Sequence, residues 1–110
     1  NQKPLSEIYM SDHSLKTIYH LSEEQLNNLN KAEDLIEMMD LTKAESLLLD
    51  MNKKVPNCVP VLNVLAHMYG RHLSDFESAI KFYNLVLEIE PDNAWARDER
   101  RKYSRYMSYD

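Results

Sequence analysis

The sequence predicts an all-helical domain built from two helix pairs followed by a capping helix. Three observations carry that expectation. The 110 residues hold a single Gly, too few for the tight turns of a β-sandwich or barrel, which use Gly to reach positive φ. Apolar residues recur at three- and four-residue spacing along most of the chain, the period of a helix face. The pattern also repeats: Ala44 aligns with Ala79 and Pro56 with Pro91, each pair 35 residues apart, which brings Leu41 onto Phe76, Leu48 onto Tyr83 and Met51 onto Val86. Upstream, Ala32 and Leu35 fall on Ala66 and Tyr69 once one extra residue is placed in the Gly70–Asp75 connection.

The first helix is expected over Ser22–Met39, with Ser22 as N-cap and Glu23 and Glu24 favouring its opening turn. Leu26, Leu29, Ala32, Leu35, Ile36 and Met39 form its inward stripe. Asp40–Leu41–Thr42 turns the chain into a second helix that runs to about Lys54, with Ala44, Leu47, Leu48 and Met51 inward. Pro56 stops it, because the residue before a proline avoids helical angles. A third helix is expected from Val59 to Arg71, with Pro60 tolerated in its first turn and Leu62, Leu65, Ala66 and Tyr69 inward. A fourth starts behind Ser74 or Asp75, buries Phe76, Ala79, Ile80, Tyr83, Val86 and Leu87, and ends at Pro91. The fifth, about Asp92–Met107, is more polar. Small Ala44 and Ala79 suit close helix crossings, where a larger side chain would force the axes apart. Met38, Met39 and Met51 are expected to fill the core.

Residues 1–21 form an N-terminal extension. Leu15, Ile18 and Tyr19 make a short helical stripe behind Asp12 or Ser14, preceded by Leu5, Ile8, Tyr9 and Met10 without clear period. Three roles are open to it: capping the first pair, lying in the chain's own groove, or pairing with another copy.

The run Leu62, Leu65–Ala66, Tyr69, Phe76, Ala79, Tyr83, Val86–Leu87, Ile89, Pro91 resembles the tetratricopeptide (TPR) repeat, a 34-residue helix–turn–helix with large, small and proline positions in this order. Phe82 to Asn93 is an especially close match to its second half. Ala32, Leu35, Ala44 and Pro56 fit the same pattern, although Asn28 and Lys31 stand where larger apolar residues are usual. Trp95 fits the opening aromatic of a further unit. The resemblance covers about residues 22–105. It implies a right-handed α-solenoid: repeat 1 over 22–57, repeat 2 over 58–91 and a capping helix over 92–107, within a TPR domain spanning 22–110. A concave face would be lined by the first helix of each pair.

Composition narrows the function. The absence of spaced glycines removes the dinucleotide and phosphate-loop fingerprints. One Cys forms neither an internal disulfide nor a thiolate zinc site, and the apolar runs are too short to span a bilayer. No signal segment opens the chain, which begins at Asn1 and reads as an excised piece of a longer one. With 44% apolar and 28% charged residues, it is expected to fold in a reducing, cytoplasmic setting. Net charge is −5 and uneven. Residues 1–40 carry three Lys against eight acids, whereas Arg97, Arg100, Arg101, Lys102 and Arg105 cluster near the end.

No catalytic set, metal set or cofactor motif is found, so an enzyme is not expected. Cys58 stands at a helix start, where the dipole lowers a thiol pKa, but a small buried apolar side chain is the plainer role. Asn63, His67 and Arg71 follow at i, i+4 and i+8 opposite the apolar stripe of the third helix, and Asn93, Arg97 and Arg100 take comparable places on the fifth. Together they predict a groove of amides, an imidazole and guanidinium groups suited to carboxylates, with Glu33 and Glu37 making its far end negative. The alternative is that the arginines only solvate a terminal helix. Some TPR domains grip a C-terminal carboxylate through Lys, Asn, Asn, Lys and Arg. Here only Arg97 matches, since Leu29, Glu33, Val64 and Asn93 stand at the other four places, so that clamp is not expected. Tyr103, Tyr106 and Tyr109 either line one helix face against the preceding pair or, with Trp95, make an apolar docking edge.

The expected function is therefore a protein-binding scaffold or adaptor module holding a peptide, acidic in character, or a helical segment of a partner. The alternative is a self-associating module that dimerises by stacking repeats. Nucleic-acid binding through Arg100–Arg105 is a distant third, opposed by the net charge.

Overall fold

A computed structural model describes residues 11–108. It is all-helical, with no strand among the described residues. The helices are α1 (Asp12–Tyr19), α2 (Glu23–Glu37), α3 (Leu41–Lys54), α4 (Val59–His67), α5 (Phe76–Ile89) and α6 (Ala94–Ser108), with a π-helical turn at Met68–His72 continuing α4. The chain divides into two compact units after Val61, so α4 gives its first turn to one unit and the rest to the other.

In the first unit, α1 is capped by Ser11 rather than by Asp12 or Ser14; the Ser11 hydroxyl accepts from the Ser14 amide at 3.1 Å. Leu15 buries its side chain, and Lys16 pairs with Glu23 across the α1–α2 corner. Leu5, Ile8, Tyr9 and Met10 lie outside the described residues. Ser22 caps α2 reciprocally: its hydroxyl accepts from the Gln25 amide at 3.1 Å, and the Gln25 carbonyl accepts from the Ser22 amide at 2.9 Å, the two-way box that satisfies orphan donors of a first turn. Leu26, Leu29, Ala32 and Ile36 of α2 are buried, with Ala44, Leu48 and Met51 of α3; the two helices pack along their length. The methionine pair departs from expectation. Met38 is 69% and Met39 60% exposed, because α2 ends at Glu37 and Met39 turns into the left-handed region at φ 61°. Of the three core methionines expected, only Met51 is inside.

In the second unit, α5 is capped by Asp75, whose carboxylate accepts from the Ser78 amide at 3.1 Å. It packs along α6 and buries Ala79, Phe82, Tyr83 and Val86. The α6 helix begins at Ala94, two residues later than expected, because Asn93 is its cap: the Asn93 carbonyl accepts from the Ala96 amide and its NH2 donates to Glu90, both at 2.9 Å.

The backbone repeats at the 35-residue spacing. Both α3 and α5 have 14 residues. Their N-cap residues Asp40 and Asp75 have φ/ψ of −90/69° and −93/79°, and the C-caps Val55 and Glu90 have −132/86° and −127/82°. Each N-cap follows a left-handed residue, Met39 or Ser74. The Asp40 amide donates to the Leu35 carbonyl at 2.8 Å and the Asp75 amide to the Tyr69 carbonyl at 2.9 Å, so the second loop closes the same link with one more residue. That residue is absorbed in the π-turn, where the Leu73 amide donates five residues back to Met68 at 3.1 Å. The periodicity predicts regular α-helix through Arg71, whereas the α-helix gives way to the π-turn after His67; widening one turn admits an extra residue without breaking the hydrogen-bonded run.

Candidate functional site

The π-turn sets the geometry of the second unit. Gly70 sits at its centre, and a Cβ there would lie 2.6 Å from Cε2 and 2.8 Å from the hydroxyl of Tyr103. The chain's one glycine therefore serves a close approach rather than a turn with positive φ. Its missing side chain seats the Tyr103 ring, which is only 2% exposed and stacks with Phe76 and Tyr83 at centroid distances of 5.5 and 6.4 Å. Tyr106 stands edge-on to both Phe76 and Tyr103, at 5.4 and 5.7 Å, and is 45% exposed. Aromatic pairs at such distances add to their area burial. With Ala96 and Tyr103 facing inward, Trp95, Glu99, Lys102 and Tyr106 share one flank of α6, while Arg97, Arg101 and Arg105 lie on its exposed outer face.

Basic groups gather beside that flank. The His67 and His72 rings lie 6.0 Å apart. Burial first, then the positive charges of His72, Arg71 and Lys102, lower the His67 pKa to about 4, so its ring is neutral at pH 7. His72 is lowered as well, by burial and by Arg71. Lys102 bonds Glu99 at 3.2 Å and stands 4.7 Å from the Tyr103 ring centre. Burial works against the Lys102 ammonium, but the Glu99 hydrogen bond and the neighbouring Tyr103 and Glu99 hold its pKa above the ordinary lysine value. The result is a half-buried neutral imidazole under the charges of Arg71 and Lys102, with the exposed Tyr106 on the Lys102 flank of α6.

This arrangement reorganises the expected groove. His67 and Arg71 stay together, and the α6 cation whose charge reaches His67 is Lys102, not Arg97 or Arg100. Arg100 instead donates to the Asn84 carbonyl of α5 at 2.9 Å, and Arg97 sits on the outer face beside Asp98 at 3.5 Å. Asn63 is buried, 6% exposed, and the Asn93 amide is used as a cap. Tyr103 is core rather than docking edge, Trp95 is half-buried, and Tyr109 lies outside the described residues. In the first unit, Glu33 is 5% exposed rather than lining a surface, while Glu37 is open. Cys58 does not gain acidity from its helix start: burial pushes its thiol pKa up, outweighing the Val61 backbone hydrogen bond. Among the described residues no three His, Cys, Asp or Glu are placed to hold a metal, and no helix is long and apolar enough to cross a membrane.

Glu99, Lys102 and His72 are not among the residues that the sequence pattern places in the groove. The signal was the seven-residue spacing of Ala96 and Tyr103, which fixes the inward line of α6 and so puts Lys102, not Arg100, on the flank. No family model, curated protein or solved structure matches the chain.

Proposed function

We propose that the chain is a protein–protein interaction module, a TPR-like scaffold or adaptor piece that holds a peptide or helical segment of an intracellular partner. One observation carries this reading. Two 14-residue helices follow N-cap aspartates of matching torsions and end in matching C-caps at a 35-residue spacing. Repeated helix pairs of this kind bury a shared core and leave their outer faces free for partners. The flank of Lys102 and Tyr106, beside His67 and Arg71, is the partner surface in the second unit. It offers the exposed Arg71 guanidinium and a Lys102 ammonium shared with Glu99 for carboxylates, and an exposed ring for apolar contact.

A peptide-display selection against the immobilised chain tests this, with the binders mapped by amide NMR shifts. Acidic sequences are expected to perturb His67, Arg71, Lys102 and Tyr106. Lys102→Ala should weaken them about five- to tenfold, since a charged hydrogen bond at a half-buried site contributes about 1–1.5 kcal/mol. Arg105→Ala, on the outer face, should change little. Equal affinity for both variants would sink this surface, and a selection without enrichment would sink the module reading.

Self-association is a second reading, favoured by the exposed Tyr106 and Met107 of α6 and Ile18 of α1. Sedimentation over a wide concentration range separates the two, because a strict monomer removes it.

A further inference from the structure

The first unit holds a pocket of about 130 Å³ whose lining comes from α2, α3 and the start of α4. Met51, Val55, Cys58 and Val61 supply an apolar wall. Glu24 and Asn28, one helical turn apart on α2, supply a carboxylate and an amide. Among the described residues neither of these two side chains has a hydrogen-bond or ion-pair partner. Their neighbours are engaged: Gln25 caps α2 through its carbonyl, and Lys54 is held by Asp50 at 3.2 Å. Lys54, the ammonium among the lining residues, is thus paired with Asp50 rather than with Glu24. The Cys58 thiol, kept neutral by burial, adds to the apolar wall rather than offering a thiolate. Residues 11–61 carry five Lys against nine acids, and a field of that sign concentrates cations at the surface.

We infer that this pocket takes a lysine or arginine side chain of a partner protein, its aliphatic stem against Met51, Val55 and Val61 and its charged head on Glu24 and Asn28. The pairing of an apolar channel with acceptors at its mouth suits these residues, whose methylene stems bury while the head stays near water. A carboxylate-bearing side chain would meet Glu24 and Asp50 and find the one lining ammonium, Lys54, already paired with Asp50, so it is disfavoured; a purely aliphatic one would leave the Glu24 and Asn28 acceptors unused. The inference rests on the interaction-module reading for its partner, but the pocket's chemistry is testable without one.

The probes are N-acetyl-lysine amide, N-acetyl-arginine amide and N-acetyl-norleucine amide, titrated into the 15N-labelled chain. The two basic probes are expected to shift the amides of Asn28, Val55 and Cys58, with norleucine amide binding about threefold or more weaker, the size of a partly solvated ion pair. Glu24→Gln should erase that preference. Asp50→Asn should weaken the basic probes by releasing Lys54 to occupy Glu24. Both variants are near-isosteric and lie at the surface, and a thermal melt checks that they fold. Equal affinity of lysine and norleucine amides, a preference that survives Glu24→Gln, or shifts confined to other residues would overturn the inference, whatever the peptide selection yields. If no partner peptide is ever selected while lysine amide still binds here with the stated preference, the module reading falls and the pocket stands.

Discussion

The two units close the same helix–turn–helix link in different ways. In the first, α2 stops cleanly at Glu37, Met38 and Met39 swing outward, and the Asp40 amide reaches the Leu35 carbonyl. In the second, one more residue occupies the loop, α4 widens into a π-turn, and the glycine at its centre receives the ring of Tyr103. The aligned positions make the contrast plain: Ile36, 34 residues before Gly70, fills its own space at 2% exposure, whereas at Gly70 a neighbour fills it. A single inserted residue thus turns a self-packed helix end into a socket, and the socket fixes the register of α6 that places Lys102 and Tyr106 on the surface.

The largest effect that would break this comparison is at the socket. Tyr103→Ala should cost about 3–5 kcal/mol, the range for emptying a buried aromatic site. Gly70→Ala should cost about 2–3 kcal/mol by overpacking, and in the Tyr103→Ala background its cost should fall below about 0.5 kcal/mol, because the obstructing ring is gone. At Ile36 the sign of the size dependence reverses: trimming to Ala costs about 2–4 kcal/mol. Urea melts of the four variants decide this, and additive costs for the Gly70–Tyr103 pair would contradict the socket.

His67 gives the next effect. Its folded pKa of about 4 lies below the ordinary 6.5, so the unfolded chain binds the extra proton between those values. Stability should therefore be fully present above about pH 6.5, rise with pH through the window, and be lost as pH falls toward 4. The contribution is about 1–3 kcal/mol. His67→Gln should flatten that part of the profile. A profile identical in the variant would mean that the ring is not held neutral by its surroundings. His67 lies on α4 beside the π-turn, so this histidine effect belongs to the second unit.

Much of this was legible in the residues. Ser22 and Pro56 mark helix ends through local chemistry, so the boundaries at Ser22 and Lys54 are legible, and the start of α5 is legible to within Ser74 or Asp75. Ala44, Leu48, Ala79, Tyr83 and Val86 were legible as core because periodicity names an inward face. Met39 was misplaced because the same periodicity does not say where a helix stops. Asn63 looked like surface because polarity suggested it, yet the surrounding apolar run from Val59 to Met68 is buried nearly all round. The π-turn left a trace, the one-residue gap in the alignment, but which turn absorbs an insertion depends on the Gly70–Tyr103 contact between elements distant in sequence. The Glu24–Asn28 pocket likewise needs three helices to converge.

The smallest predicted effect sharpens what the two turns share. Met39 and Ser74 hold φ of 61° and 52°, a region that burdens residues with a Cβ. Met39→Gly and Ser74→Gly should each raise stability by about 0.5 kcal/mol, the relief of left-handed strain less the added backbone entropy of glycine. A gain at one position only would show that the turns are not equivalent.

The most direct test of the account is the hydrogen bonding of the two loops, read from through-bond N–C′ couplings in an isotopically labelled sample. The account predicts couplings from the Asp40 amide to the Leu35 carbonyl, from Asp75 to Tyr69, and from Leu73 to Met68. A coupling from the Leu73 amide to the Tyr69 carbonyl instead, the link of an uninterrupted α-helix, would contradict the inserted residue's placement and with it the socket that receives Tyr103.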